Sequence, residues 1–279
     1  MHYTITTQCN NNCICCVTDK ALRSKVLCEP KLHGPSTHDE PIVVSGGEPT
    51  IAKSFFRFLT ASSIKLKPLL ILTNARAFSD NVFLKKFLDC NLYKKNTMIA
   101  TALYSDKANE HDKMTRVSGS FEQTIRGLNN LIAKGFNIEI RIIINRNNYY
   151  KLPAIAEFII NSMKGINRVA FIQMKISGQA KDNLKELIVK YEDTLAPLMN
   201  SLKILSTAGI EVHLLHHPLC LLPAEAQLCT KGRTADIKEL YFPKQCDECY
   251  KKGQCSGIWK NYCDVFGEDS FTPFGPTGQ

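Results

Sequence analysis

Six short runs rich in β-branched residues, at 3–7, 41–45, 69–73, 98–104, 138–145 and 169–176, alternate with longer amphipathic stretches, and that order leaves few ways to fold. Parallel neighbours need a crossover between them, and a helix supplies it, so repeated strand-helix units build a parallel sheet. The clearest helical stretch is 120–134: Ser120 and Gln123 form a capping box, Phe121, Ile125, Leu128 and Ile132 share one face, and Gly135 closes it. A second long helical pattern, 181–208, follows the last run. The sequence therefore predicts an α/β fold of six strand-helix units.

After residue 208 the character changes. Cys220, Cys229, Cys246, Cys249, Cys255 and Cys263 fall among prolines, glycines and lysines with little periodicity. A segment so poor in core residues needs a metal to hold its shape. This divides the chain into an α/β unit at 1–208, a cysteine-rich unit at 209–265 and a Gly/Pro-rich tail at 266–279.

The start lacks a basic region followed by an apolar stretch, and no window has the eighteen or so apolar residues of a membrane helix. That predicts a cytoplasmic protein with no membrane partner. Thiols stay reduced there, so twelve cysteines read as metal sites or catalysis rather than disulfides. The net charge of +9 favours an acidic partner, a nucleotide, nucleic acid or acidic peptide, or simply a well-solvated surface.

Cys9, Cys13 and Cys16 stand as C-x3-C-x2-C directly after the first strand. Structural zinc wants four ligands, usually from paired C-x2-C knuckles, whereas three thiols on one loop leave a position open. A 4Fe-4S cluster is held by cysteine thiolates, so three would leave one iron for a ligand. The stretch VVSGGEPT, 43–50, puts two glycines and an acid at the end of the second strand, where a backbone can approach a ligand closely.

Together these stretches resemble the radical S-adenosylmethionine (SAM) enzymes. The resemblance implies a partial (β/α)6 barrel, with a SAM-binding 4Fe-4S cluster on Cys9, Cys13 and Cys16. It implies that Gly46, Gly47 and Glu48 bind the amino group of SAM, whose reductive cleavage yields a 5'-deoxyadenosyl radical. The family usually has an aromatic residue before the last cysteine; here it is Cys15, read as a small packed side chain. By position on the fourth and fifth strands, Tyr104, Ser105, Arg141 and Asn145 are candidate contacts to the SAM carboxylate and ribose, with a solvated or helix-facing charge as the alternative for Arg141.

Cys246, Cys249 and Cys255 form C-x2-C-x5-C, which resembles the auxiliary-cluster domains called twitch or SPASM; a zinc knuckle is the alternative. Trp259 stands where the fourth SPASM cysteine usually lies, which predicts a smaller domain with one auxiliary 4Fe-4S cluster. HHPLCLLP, 216–223, followed by CDECYKKGQCSG, 246–257, resembles the maturases of His-Xaa-Ser repeat peptides and implies Cys220 as fourth ligand; Cys229 and Cys263 are the alternatives. His216 and His217 read as packing or surface residues, and Cys28 and Cys90 as packed.

The leading expectation is a radical SAM enzyme modifying a ribosomally made peptide, reduced by a donor such as flavodoxin or ferredoxin. The alternatives are a radical SAM enzyme acting on a nucleotide or other small molecule in cofactor synthesis, and a zinc-dependent nucleic-acid-binding module, for which no helix-turn-helix or finger spacing is present.

Overall fold

The computed structural model describes residues 1–23, 30–33, 41–61, 64, 67–231 and 237–275; Cys28 lies outside the described residues. The strands are β1 (His2–Thr6), β2 (Lys31–His33), β3 (Ile42–Gly46), β4 (Leu69–Leu72), β5 (Thr97–Ala102), β6 (Asn137–Ile144), β7 (Arg168–Gln173) and β8 (Glu211–Leu215). They form one sheet in the order β2-β1-β3-β4-β5-β6-β7-β8. β2 pairs antiparallel with β1, and the remaining neighbours are parallel.

All six expected strands are present, within a residue or two at each end except that β7 stops at Gln173, three residues short of the expected run. The sheet is larger than six strands because β2 and β8 extend its two edges. β8 carries the sheet to Leu215, past residue 208. Parallel strands bury both faces, and the wholly apolar run of β4 (LLIL) and the five isoleucines of β6 (NIEIRIII) meet that demand. Ile71, Ile99, Ile138, Ile140, Ile142, Val169 and Phe171 are fully buried in one core with Phe55, Phe78 and Phe87 of the surrounding elements.

Two helical expectations differ in detail. The helix Ser120–Ala133 forms, but its N-cap is Gly119. Asp112 takes over the capping: its carboxylate accepts from the Gly119 and Phe121 amides at 2.6 and 2.8 Å and from the Ser120 hydroxyl at 2.8 Å. Gln123 is thereby left to bond Arg76. The 181–208 pattern is interrupted, giving helices Gln179–Asp182, Leu184–Leu187 and Tyr191–Thr207, because Ile188 and Lys190 are extended.

The cysteine-rich segment adds a two-stranded ribbon of β9 (Leu240–Tyr241) and β10 (Ile258–Trp259). Leu240, Ile258, Trp259, Tyr262 and Phe271 form a second small core there, into which Tyr191 of the α/β unit is inserted. Tyr191 stacks on Tyr262 with ring centroids 4.0 Å apart. Among the described residues, no helix is long and apolar enough to cross a membrane.

Candidate radical-generating site

A cavity of about 340 Å³ opens at the carboxyl ends of the parallel strands, where such sheets place ligands. One wall is the loop after β1, carrying Cys9, Cys13 and Cys16; the next is the Gly-Gly-Glu stretch at the end of β3. The glycines explain why these stretches touch. A Cβ on Gly46 would stand 2.2 Å from the Thr6 carbonyl oxygen, and one on Gly47 would stand 2.1 Å from that of Gln8. Without side chains the strands close up, and the Gly47 and Glu48 amides donate to the Thr6 and Gln8 carbonyls, both at 2.7 Å.

The three asparagines between the first two cysteines are fastening points. The Asn10 carbonyl and the Asn11 side-chain oxygen accept from Arg76 Nη1 at 2.7 and 2.6 Å. Asn74 Nδ2 donates to Asn10 Oδ1 at 2.6 Å, and the Asn12 amide donates to the Thr115 carbonyl at 2.9 Å. Arg76 is held in turn by Gln123 Oε1 at 2.7 Å. One guanidinium thus ties the cysteine loop to the turn after β4 and to the helix Ser120–Ala133.

The sulfur environment fits thiolate ligands. The Asn11 amide points at Cys9 Sγ (3.3 Å) and the Thr18 amide at Cys16 Sγ (3.4 Å), the kind of donor that stabilises charge on a ligating sulfur. Burial, then the neighbouring Cys15 thiol, push the Cys13 thiol up from its ordinary value. Cys15 is buried in an apolar cluster with Ile14, Tyr104, Met114 and Met174 and also reaches the cavity. Among the described residues, no three His, Cys, Asp or Glu side chains converge as a single metal ion would require.

Glu48 is 1% exposed, and the chain itself supplies its donors. Oε1 accepts from the Thr50 amide (3.0 Å) and from the Thr50 and Thr73 hydroxyls (both 2.6 Å), and Oε2 accepts from the Asn74 amide (2.6 Å). Burial raises its pKa and those four donors oppose the rise. The carboxylate therefore locks the end of β3 to the end of β4, and Gly46 and Gly47 bring backbone to the cavity wall.

Tyr104 and Arg141 also line the cavity. Arg141 Nε donates to Glu139 at 2.5 Å, and the same buried carboxylate accepts from Arg168 Nε at 2.6 Å. Ser105 and Asn145 are not brought to the wall, in contrast to what their positions after the strands suggest. The Ser105 hydroxyl donates to Glu110 at 2.6 Å. Asn145 shapes the turn after β6, donating to the Ile143 carbonyl at 2.8 Å and accepting from the Asn147 amide at 2.9 Å.

The cavity is also lined by Gln173 and Lys175, which sequence reasoning passed over, and by His216 and Trp259, which it did not place at the site. Trp259 Nε1 donates to the Gln173 carbonyl at 3.0 Å, and the ring lies against His216 with centroids 4.2 Å apart. His216 holds a left-handed backbone (φ 61°) that few non-glycine residues adopt. Asn261 Nδ2 adds a bond to the Ile176 carbonyl at 2.8 Å. The cysteine-rich segment thus contributes His216 and Trp259 to the lining of the cavity.

In that segment the Leu219 and Gly257 amides both point at Cys255 Sγ at 3.4 Å, which fastens the Cys220 turn to the C-x2-C-x5-C stretch. Burial, then the nearby Cys255 and Cys246 thiols, push Cys220 up to about 11. Burial, then Cys249 and Cys255, raise Cys246. Cys263 also feels Cys246, after burial, Glu268 and Asp264. Burial raises Cys229 and Lys231 opposes the rise; the residue lines a separate pocket with Met199, Leu202 and Val212. Cys90 is buried in the main core. No described cysteine forms a disulfide.

No family model matches the chain. Solved structures of Streptococcus suis SuiB share its architecture: SuiB bound to S-adenosylmethionine gives a TM-score of 0.55 at 15% identity, covering 88% of this chain and 54% of SuiB. The chain has the SuiB fold. SuiB bound to the precursor peptide SuiA aligns at a TM-score of 0.54 and 13% identity, over 81% of this chain and 50% of that one. In sequence it is similar to the Fe-coproporphyrin III synthase of Methanosarcina barkeri (strain Fusaro / DSM 804), 24% identical over 191 residues, which are 66% of this chain and 46% of the synthase. The chain spans about half the length of these proteins.

Proposed function

We propose that this protein is a radical SAM enzyme that modifies a ribosomally synthesised peptide. Cys9, Cys13 and Cys16 would hold a 4Fe-4S cluster, and Gly46, Gly47, Tyr104 and Arg141 would bind SAM in the cavity they line. When bound, cluster and SAM supply a 5'-deoxyadenosyl radical for hydrogen abstraction. The chain's residues position: Arg76 and the asparagines fix the cysteine loop, Glu48 fixes the glycine turn, and apolar side chains such as Ala102, Ile143 and Ile172 keep water from the wall.

Residues 209–265 serve as an auxiliary unit, with a second 4Fe-4S cluster on Cys220, Cys246, Cys249 and Cys255. The observation that carries this reading is the cavity itself, lined both by the first cysteine loop and by Trp259 and His216 of the second unit. A substrate held in that cavity would touch residues of both units.

The peptide assignment draws on the likeness of fold to SuiB with its precursor peptide. A small-molecule substrate is the second reading, favoured by the sequence similarity to a coproporphyrin synthase. The reconstituted, reduced protein with SAM should form 5'-deoxyadenosine. Co-expressing it with short peptides encoded beside its gene should change a peptide mass, whereas a mass change confined to coproporphyrin III would select the second reading.

A further inference from the structure

Among the described residues, three side chains that carry a formal charge, Glu48, Arg141 and Lys175, line the main cavity. The first two are committed within the chain. Glu48 takes four donors, and Arg141 bonds Glu139, a carboxylate 2% exposed that it shares with Arg168. Lys175 differs: its ammonium pairs with Glu239, whose side chain is 44% exposed and does not line the cavity. A pair with so exposed a partner adds little to stability, so a second carboxylate can readily take that partner's place.

The surroundings of Lys175 suit such an exchange. Lys175 and Trp259 line the cavity and also a smaller pocket of about 190 Å³, so the two spaces share these side chains; Glu239 and Lys260 line only the smaller one. Lys260 is exposed, which gives that pocket two cations against the single carboxylate of Glu239. Lys175 Nζ lies 5.5 Å from the centroid of the Trp259 ring, which is fixed by its bond to the Gln173 carbonyl and lies against His216. Burial, then Lys175, hold His216 down at about 4, so the imidazole is uncharged near neutral pH and Lys175 is the cation at this place.

We propose that Lys175 is the receptor for an acidic side chain, Asp or Glu, of the substrate peptide, which displaces Glu239 from the ammonium and thereby selects which peptides the cavity accepts. The inference rests on the peptide reading above and names the substrate class. No covalent bond changes in the exchange: one carboxylate replaces another, and Trp259 offers a flat apolar face beside the charge. Glu239 is then a built-in competitor, and that gives the two partners opposite signs. An ion pair kept for stability is lost alike whichever partner is removed, whereas removing a receptor weakens binding and removing its competitor strengthens it.

The test uses two acetylated, amidated tripeptides, Gly-Glu-Gly and Gly-Gln-Gly, titrated by ligand-observed NMR against the full chain, before and after cluster loading and with and without saturating SAM. The variants are Lys175→Met, Lys175→Arg and Glu239→Gln, with Lys164→Met on a remote exposed lysine as the control for net charge. The wild type should prefer the Glu peptide. Lys175→Met should lose about tenfold in affinity for it and so lose the preference, and Lys175→Arg, which keeps the charge, should retain it. Glu239→Gln should bind the Glu peptide more tightly than the wild type, and Lys164→Met should match the wild type.

No preference in the wild type, a loss in Glu239→Gln like that in Lys175→Met, or an equal loss in Lys164→Met would overturn the receptor. So would a preference that disappears when SAM is added to the loaded protein, which would assign Lys175 to SAM instead. A wild type that keeps the preference but takes up no iron and forms no 5'-deoxyadenosine would sink the proposed function and leave the carboxylate receptor standing.

Discussion

Trp259 Nε1 donates to the carbonyl of Gln173 across 3.0 Å, joining the cysteine-rich segment to the end of β7 at the wall of the cavity. The indole also carries His216 on one side, and Lys175 Nζ sits 5.5 Å from its centroid. Trp259→Ala should therefore cost roughly 3–5 kcal/mol of stability, and Trp259→Phe, which keeps a ring but loses the N–H, about 1 kcal/mol. Chemical denaturation of the two variants checks the order; equal costs would mean the hydrogen bond, not the packing, holds the joint.

Arg76 serves three acceptors at once, Asn10 O, Asn11 Oδ1 and Gln123 Oε1. A lysine is a point charge without the planar fork, so Arg76→Lys should fail to span them. Both Arg76→Lys and Arg76→Ala should retain less iron after anaerobic reconstitution than the wild type. A fold that is weakened by about 1–3 kcal/mol but not lost would accompany it. Unchanged iron retention in both variants would show that the loop does not depend on this clamp.

Gly47→Ala should be damaging out of proportion to one methyl group. The added Cβ would meet the Gln8 carbonyl oxygen at 2.1 Å and that of Thr7 at 2.5 Å, and backbone cannot swing aside as a side-chain tip can. Overpacking of this kind costs about 1–3 kcal/mol, and here the group displaced is the approach to Cys9. Gly253→Ala, where nothing lies within 4 Å, is the matched control and should be near neutral. Melting temperature and iron loading should fall together in the first variant only.

Acid should weaken the fold before its carboxylates titrate. Burial holds His111 and His216 down at about 4 and His217 at about 3. In the unfolded chain these imidazoles take protons near pH 6.5, so between about 6.5 and 4 the unfolded state binds more protons than the folded one. Stability should be full above about pH 6.5 and decline as pH drops below it. Denaturation midpoints at several pH values test this, and His217→Gln should flatten the decline; a midpoint constant from pH 7 to 5 would refute it.

The six expected strands are legible because each is a short apolar, β-branched run bounded by turn residues, and a parallel sheet tolerates little else. β2 and β8 escape that reading: β2 is three residues long, and β8 (EVHLL) mixes charge with apolar side chains at an edge. The cysteine loop and the Gly-Gly-Glu stretch were visible as motifs, yet why three asparagines fill the loop was not. Their partners, Asn74 and Arg76, lie more than 60 residues away, and no local pattern encodes such a pairing. Trp259 was noticed only as a cysteine that is missing. Its place on the cavity wall depends on how the second unit packs onto β7, which is a property of the folded chain.

The most direct test is the iron and acid-labile sulfide content of the anaerobically reconstituted protein. It is measured for the wild type, for Cys9→Ala with Cys13→Ala and Cys16→Ala, and for Cys246→Ala with Cys249→Ala. The account predicts about eight irons per chain in the wild type and about four in each variant, as two independent 4Fe-4S clusters require. It predicts 5'-deoxyadenosine from SAM only where the first cysteine loop is intact. Zinc in place of iron, or a wild type that takes up no iron under conditions where a known radical SAM enzyme reconstitutes, would contradict it.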